Sequence, residues 1–273
     1  MLKGQNKDDT INVYLDNINK LSGGSFRQHL ILLLAARNLD RELFDHFAKQ
    51  LEVLVYYYLV TGEPTREFER KFSKWAKLVK NIKNKVDLNR FIQEELQGEI
   101  ATRKINYENA FLGITTKSMQ DYRVRYILAK ITAYVDNCYI GSNEDKSLAY
   151  YIRTGIELEH ILPKNPELDL RESFGEDYDN YKIKLGNLTF LEKPRNIVAG
   201  RDFFEKKKEL YEKSKFSLTK SLVDLTPVGK NTSINRVNKY LKTFEKWDRD
   251  SIIERQRILL ELSSIIWELR IID

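Results

Sequence analysis

The segment Glu159-His160-Ile161-Leu162-Pro163 holds the residue types best suited to chemistry. A neutral imidazole, with an ordinary pKa of about 6.5, can take a proton from water at cellular pH. A carboxylate beside it can ligate a hard metal ion. Two asparagines follow, Asn187 at 27 residues beyond His160 and Asn196 another 9 on. Singly, each has an ordinary reading. A Glu-His pair can be surface or packing, Gly186-Asn187 can be a turn, and Asn196 can cap a helix.

The elements that must carry these residues supply the link between them. Ile156, Leu158, Ile161 and Leu162 flank Glu157, Glu159 and His160, a short alternating run that reads as a strand ending at Pro163. A polar loop of about twenty residues follows, broken by Pro163, Pro166 and Gly175. A second strand, Leu188 to Leu191, leads through Pro194 into a helix running through Phe203 to Lys213. On a regular strand Glu159 and His160 face opposite sides, so both reach one site only where the strand ends or twists. Pro163 supplies that ending.

Around this unit the chain reads as helical. Phe68, Phe72, Trp75, Val79 and Ile82 recur on one helix face, with Arg66, Arg70, Lys71, Lys74, Lys77, Lys80 and Lys83 opposite. Further helices are expected at about 26–37, 40–61, 86–101 and 119–140, punctuated by glycines at 23–24, 62 and 141. A last apolar helix starts at Asp250 and must pack back on the core. The fold class is therefore mainly α, a helical bundle with a small embedded ββα core. A boundary near 145–152 divides it into a helical linking region, 1–150, and a ββα domain with packing helices, 151–273.

Composition narrows the class. With 273 residues, 42% hydrophobic and 32% charged, the chain is long enough for a real core without disulfides. Forty-six Lys and Arg against 40 Asp and Glu give +6, which makes nucleic acid an eligible partner. One cysteine, Cys138, and three histidines, His29, His46 and His160, exclude a thiolate-rich zinc or iron–sulfur site held by this chain alone. His29 and His46 read as packing or surface residues, and Cys138 as buried beside Tyr134 and Tyr139. No apolar run spans a membrane and no phosphate loop or dinucleotide fingerprint occurs, so the expected compartment is the cytoplasm.

Glu-His-Ile-Leu-Pro, then Leu-Gly-Asn-Leu-Thr-Phe-Leu at 185–191, then Asn196, together resemble the HNH (His-Me finger) nuclease domain at the C-terminal end of GmrSD-type restriction endonucleases. Residues about 150–225 carry the likeness, including the 203–222 segment; the helices at 26–140 are similar to that family's joining region. The resemblance implies a metal-dependent endonuclease of a phage-defence system acting on double-stranded DNA. His160 would be the general base, Asn187 would orient it, and Asn196 with Glu159 would ligate Mg²⁺ or Mn²⁺. Arg201 stands five positions beyond Asn196, where family members often carry another asparagine, and would clamp a phosphate.

The family's N-terminal, nucleotide-hydrolysing and modification-sensing motif has no counterpart here. The chain is thus expected to be a C-terminal half, a fragment or a natural short protein, partnered by that domain or by a second copy. Lys206-Lys207-Lys208 is the best candidate for phosphate contact; the basic runs 66–83 and 236–249 would otherwise be solvated faces. The rival readings are an inactive DNA-binding module of the same fold and a helical interaction protein.

Overall fold

The computed structural model describes residues 4–6, 8, 10–24, 26–140, 148–225, 229 and 233–272. They fall into two compact units, Met1–Phe111 with Trp267–Asp273, and Leu112–Ile266. Residues 141–147, in the stretch where the sequence suggests a boundary, lie outside the described residues.

In the first unit the helices are α1 Val13–Ser22, α2 His29–Ala35, α3 Arg41–Thr61, α4 Thr65–Val79, α5 Lys85–Phe91, α6 Gly98–Ala101 and α7 Lys104–Leu112. Side-chain caps set their starts: Asn12 accepts from the amides of Tyr14 and Leu15, and Asp40 from that of Leu43. Gly23 and Gly62, both left-handed, end α1 and α3. The apolar face expected of α4 is buried, and Phe68 stacks on Tyr58 at 4.4 Å. The helix expected at 86–101 is interrupted by a π-helical stretch, Ile92–Gln97. From the other end of the chain Trp267 stacks on Tyr56 at 3.7 Å, which ties the last residues to this unit.

The second unit contains α8 Asp121–Ile140, α9 Leu148–Ile152, β1 Ile156–His160, α10 Leu168–Phe174 and α11 Tyr178–Tyr181. After a 3-10 turn, Leu185–Asn187, come β2 Leu188–Glu192, α12 Lys193–Ala199, α13 Phe204–Glu212, α14 Ser217–Lys220, α15 Ser233–Asn238 and α16 Arg249–Ile266. β1 and β2 pair antiparallel with Ile156 opposite Glu192 and His160 opposite Leu188. A two-stranded ribbon is not stable alone in water. Here β2 is buried along its whole length and packs against α8, α12 and α14. The adjoining core is built from Leu162, Tyr178, Leu191, Tyr211, Trp247 and Ile252.

Three structural facts bear on these expectations. The region between the strands is not a bare loop, because Leu170 and Tyr178 are buried and fold it into α10 and α11. Arg236, Lys239, Lys242, Lys246 and Arg249 share no helix: α15 ends at Asn238 and α16 begins at Arg249. Compactness divides the chain at Phe111/Leu112. The cause is α8, which packs on α9, α14, α15 and α16; its Asp136 accepts from the Tyr151 hydroxyl (3.0 Å) and the Ser217 amide (2.7 Å).

Candidate functional site

β1 stops at His160 because its partner strand ends there: Ile161 N–H still donates in register to the Asn187 carbonyl at 3.0 Å, but the Asn187 amide turns back to the Lys184 carbonyl at 2.9 Å. The Asn187 side chain fixes the following residue. Its Oδ1 accepts from Leu162 N–H (2.7 Å) and Trp247 Nε1–H (2.9 Å), and its Nδ2 donates to the carbonyls of Leu162 and Lys182, both 2.9 Å. All its hydrogen-bonding capacity is engaged and it is fully buried. Asn187 therefore acts on the main chain just beyond His160, not on the imidazole.

His160 is buried, with its Nε2 partnerless among the described residues. Burial, aided by the charges of Lys164 and Lys207, pushes its pKa down to about 4, so the ring is neutral at cellular pH. The Leu158 main chain partly offsets the effect of burial on the ring. A neutral imidazole with an unengaged Nε2 is the form in which histidine accepts a proton.

Glu159 is buried on the face covered by α13. Its Oε1 accepts from Lys207 Nζ and from the Tyr211 hydroxyl, each at 2.8 Å, whereas Oε2 receives no hydrogen bond among the described residues. Lys207 also donates to the carbonyls of His160 (3.0 Å) and Ile161 (3.3 Å) and is completely buried. This corrects the expectation for Lys207: a cation with no exposed surface and three internal acceptors cannot meet a DNA phosphate. Its flanking neighbours differ. Lys206 is exposed and pairs with Asp202 at 3.3 Å, and half-buried Lys208 donates to the Glu245 carbonyl at 2.7 Å. Arg201 is exposed just beyond α12.

Asn196 lies inside α12, not at its cap, and its Nδ2 donates to Glu157 Oε2 at 3.2 Å. Asn196 Oδ1 is a buried acceptor with no partner among the described residues. Direct hydrogen bonds join Asn196 to Glu157 and Glu159 to Lys207; among the described residues none joins Asn196 to Glu159 or to His160. Among the described residues no group of three or more His, Cys, Asp or Glu could hold a metal. The available donors are nevertheless hard oxygens, one buried amide oxygen without a partner and the carboxylates of β1. They suit a divalent ion that keeps several waters and takes few protein ligands.

Sequence reasoning missed the residues that brace this site. Arg255, fully buried on α16, donates to the carbonyls of Gly186 (2.7 Å) and Leu188 (2.6 Å) on either side of Asn187, and burial lowers its pKa to about 9. The Gly186 amide donates to Gln256 Oε1, and a Cβ on Gly186 would stand 2.3 Å from the Ile252 carbonyl oxygen. The signal was present: Arg255 and Gln256 fall three and four residues after Ile252, on the apolar face of α16, where polar groups need internal partners. A cavity of about 410 Å³ lies beyond the loop, walled by Leu162, Pro163, Phe174, Phe204 and Trp247, and includes none of His160, Glu159 or Asn196.

Helices throughout, with one two-stranded antiparallel ribbon that runs straight into α12, place the described chain among mainly helical proteins. The family model of the C-terminal domain of GmrSD restriction endonucleases matches residues 101–262, well over half of the chain. The chain belongs to that family, and its class is that of restriction endonucleases acting on DNA. No curated protein matches it. Among the described residues no helix is long and apolar enough to cross a membrane.

Proposed function

We propose that this chain is the nuclease part of a phage-defence restriction system, hydrolysing phosphodiester bonds of double-stranded DNA at an HNH site with one divalent metal, Mg²⁺ or Mn²⁺. The observation that carries the reading is His160, a neutral imidazole whose Nε2 has no partner among the described residues, in a chain of the GmrSD C-terminal family. His160 Nε2 takes the proton of the attacking water. Asn187 holds the Ile161–Leu162 main chain, so that the imidazole cannot drift with its loop. Asn196 Oδ1 and Glu159 hold the ion, which when bound supplies positive charge to the phosphorus centre and the leaving oxygen. Arg201, Lys206 and Lys208 meet phosphates and position the duplex without reading its sequence. In this reading the HNH core spans β1, β2 and α12, and a nucleotide-hydrolysing, modification-sensing domain or subunit acts upstream of it in the cytoplasm.

The test is supercoiled plasmid incubated with the chain, with and without Mn²⁺ or Mg²⁺. Nicking is expected only with metal. His160→Ala is expected to lower it by about 10²-fold or more, with DNA affinity nearly unchanged. Wild-type nicking by that variant would remove His160 from the site, and metal-independent DNA binding without any nicking would select the inactive-module reading.

A further inference from the structure

Lys207 and Tyr211 are four residues apart on α13 and so share one helix face, the buried one. Taking an ammonium group out of water is costly unless its partners are well placed. Lys207 meets that cost with three acceptors for its three protons, Glu159 Oε1 and the carbonyls of His160 and Ile161. All three belong to the consecutive residues 159–161, so the cation is spent entirely on the end of β1. Tyr211 adds a second donor to the oxygen that Lys207 already holds. Two donors converging on Oε1 fix the rotation of the carboxylate and leave Oε2 as its available oxygen.

We propose that Lys207 and Tyr211 are positioning residues of the nuclease site: they pin Glu159 by Oε1 and the His160–Ile161 main chain, so that Oε2 is the oxygen offered to the metal. This rests on the metal-dependent reading above and assigns the orientation of one of its ligands.

Tyr211→Phe tests it, because the substitution removes one oxygen, leaves the charge unchanged and keeps the ring packed near Phe204 at 6.1 Å. Mn²⁺ affinity is measured by electron paramagnetic resonance titration of the full chain, beside single-turnover cleavage at saturating Mn²⁺, DNA affinity and the thermal midpoint. Loss of a partner that orients a ligand is expected to weaken Mn²⁺ binding or slow cleavage by about tenfold, with DNA affinity and thermal midpoint close to wild type. Glu159→Gln, which alters the ligand itself, sets the upper limit of the affinity change.

Wild-type Mn²⁺ affinity and rate in Tyr211→Phe would overturn the proposal. So would a Lys207→Met chain that melts earlier yet binds Mn²⁺ as wild type does, since the contacts would then be structural only. A wild-type chain that binds no Mn²⁺ overturns it as well. Failure of the proposed function reads differently: if the wild type binds Mn²⁺ but never nicks DNA, catalysis is absent, and the affinity shift still decides whether Lys207 and Tyr211 position Glu159.

Discussion

A buried asparagine that fills every hydrogen-bonding position it has cannot be replaced cheaply. Removing the Asn187 amide leaves Leu162 N–H, Trp247 Nε1–H and two carbonyls without their partner, all in a dry setting. Each stranded buried group costs about 1–3 kcal/mol, partly offset where water enters. Asn187→Ala is therefore expected to lose about 2–4 kcal/mol of stability, measured by urea unfolding, and to slow cleavage even at saturating metal. His160→Ala, by contrast, removes an Nε2 that has no partner among the described residues and is expected to reduce cleavage without loosening this loop. Stability unchanged by Asn187→Ala would show that this amide is not what holds the loop.

At the scale of elements, α12 and α13 divide their polar residues between an inward and an outward role. Lys207 and Tyr211 point inward with Phe204, so the run Lys206-Lys207-Lys208 is not three equivalent cations. Only its outer members can release counterions from DNA, each contributing about 0.9 to the slope of log affinity against log salt. Lys206→Ala with Lys208→Ala is expected to flatten that slope by up to about 2 units while the fold survives. The α4 helix offers a comparison. Its Lys71 is paired with Glu99, and Lys74 lies 3.9 Å from Glu95, so part of its basic face is already neutralised internally. A slope that responds to Lys74→Ala with Lys77→Ala, and not to the α13 pair, would move the DNA path onto α4.

On the whole-molecule scale, the buried histidine of the first unit makes stability depend on pH. His29 stacks on Phe26 at 5.6 Å, and burial lowers its pKa to about 4, below the value of about 6.5 expected in the unfolded chain. The folded state thus prefers the neutral ring. Its contribution is fully present above about pH 6.5 and is lost as pH falls through 6.5 toward 4, when the unfolded chain binds the proton first. A gap of this size corresponds to about 3 kcal/mol. His29→Phe is expected to reduce the stability lost between about pH 7.5 and about pH 4.5, read by urea unfolding at the two values. Equal losses in variant and wild type would show that protonation of His29 is not what weakens the unit in acid.

What the sequence determined by itself was local. Alternation and Pro163 placed a strand ending near His160, the α4 periodicity placed its buried face, and Glu159-His160 with Asn187 and Asn196 marked the segment of interest. The same motifs led to the family that the comparison supports. Tertiary structure alone decided where those side chains point. Three lysines in a row are identical in sequence, yet helical phase and the covering of β1 bury one of them completely. Arg255 and Gln256 sit 69 and 70 residues from Gly186, a separation across which no pattern of spacing announces a hydrogen bond. The division at Leu112 is likewise a matter of which surfaces α8 covers, and periodicity marks a buried face without naming the distant surface that it meets. Spacing tells which residues can share a face, and only the packing of one face on another settles which charge is spent inside the protein and which is left for the substrate.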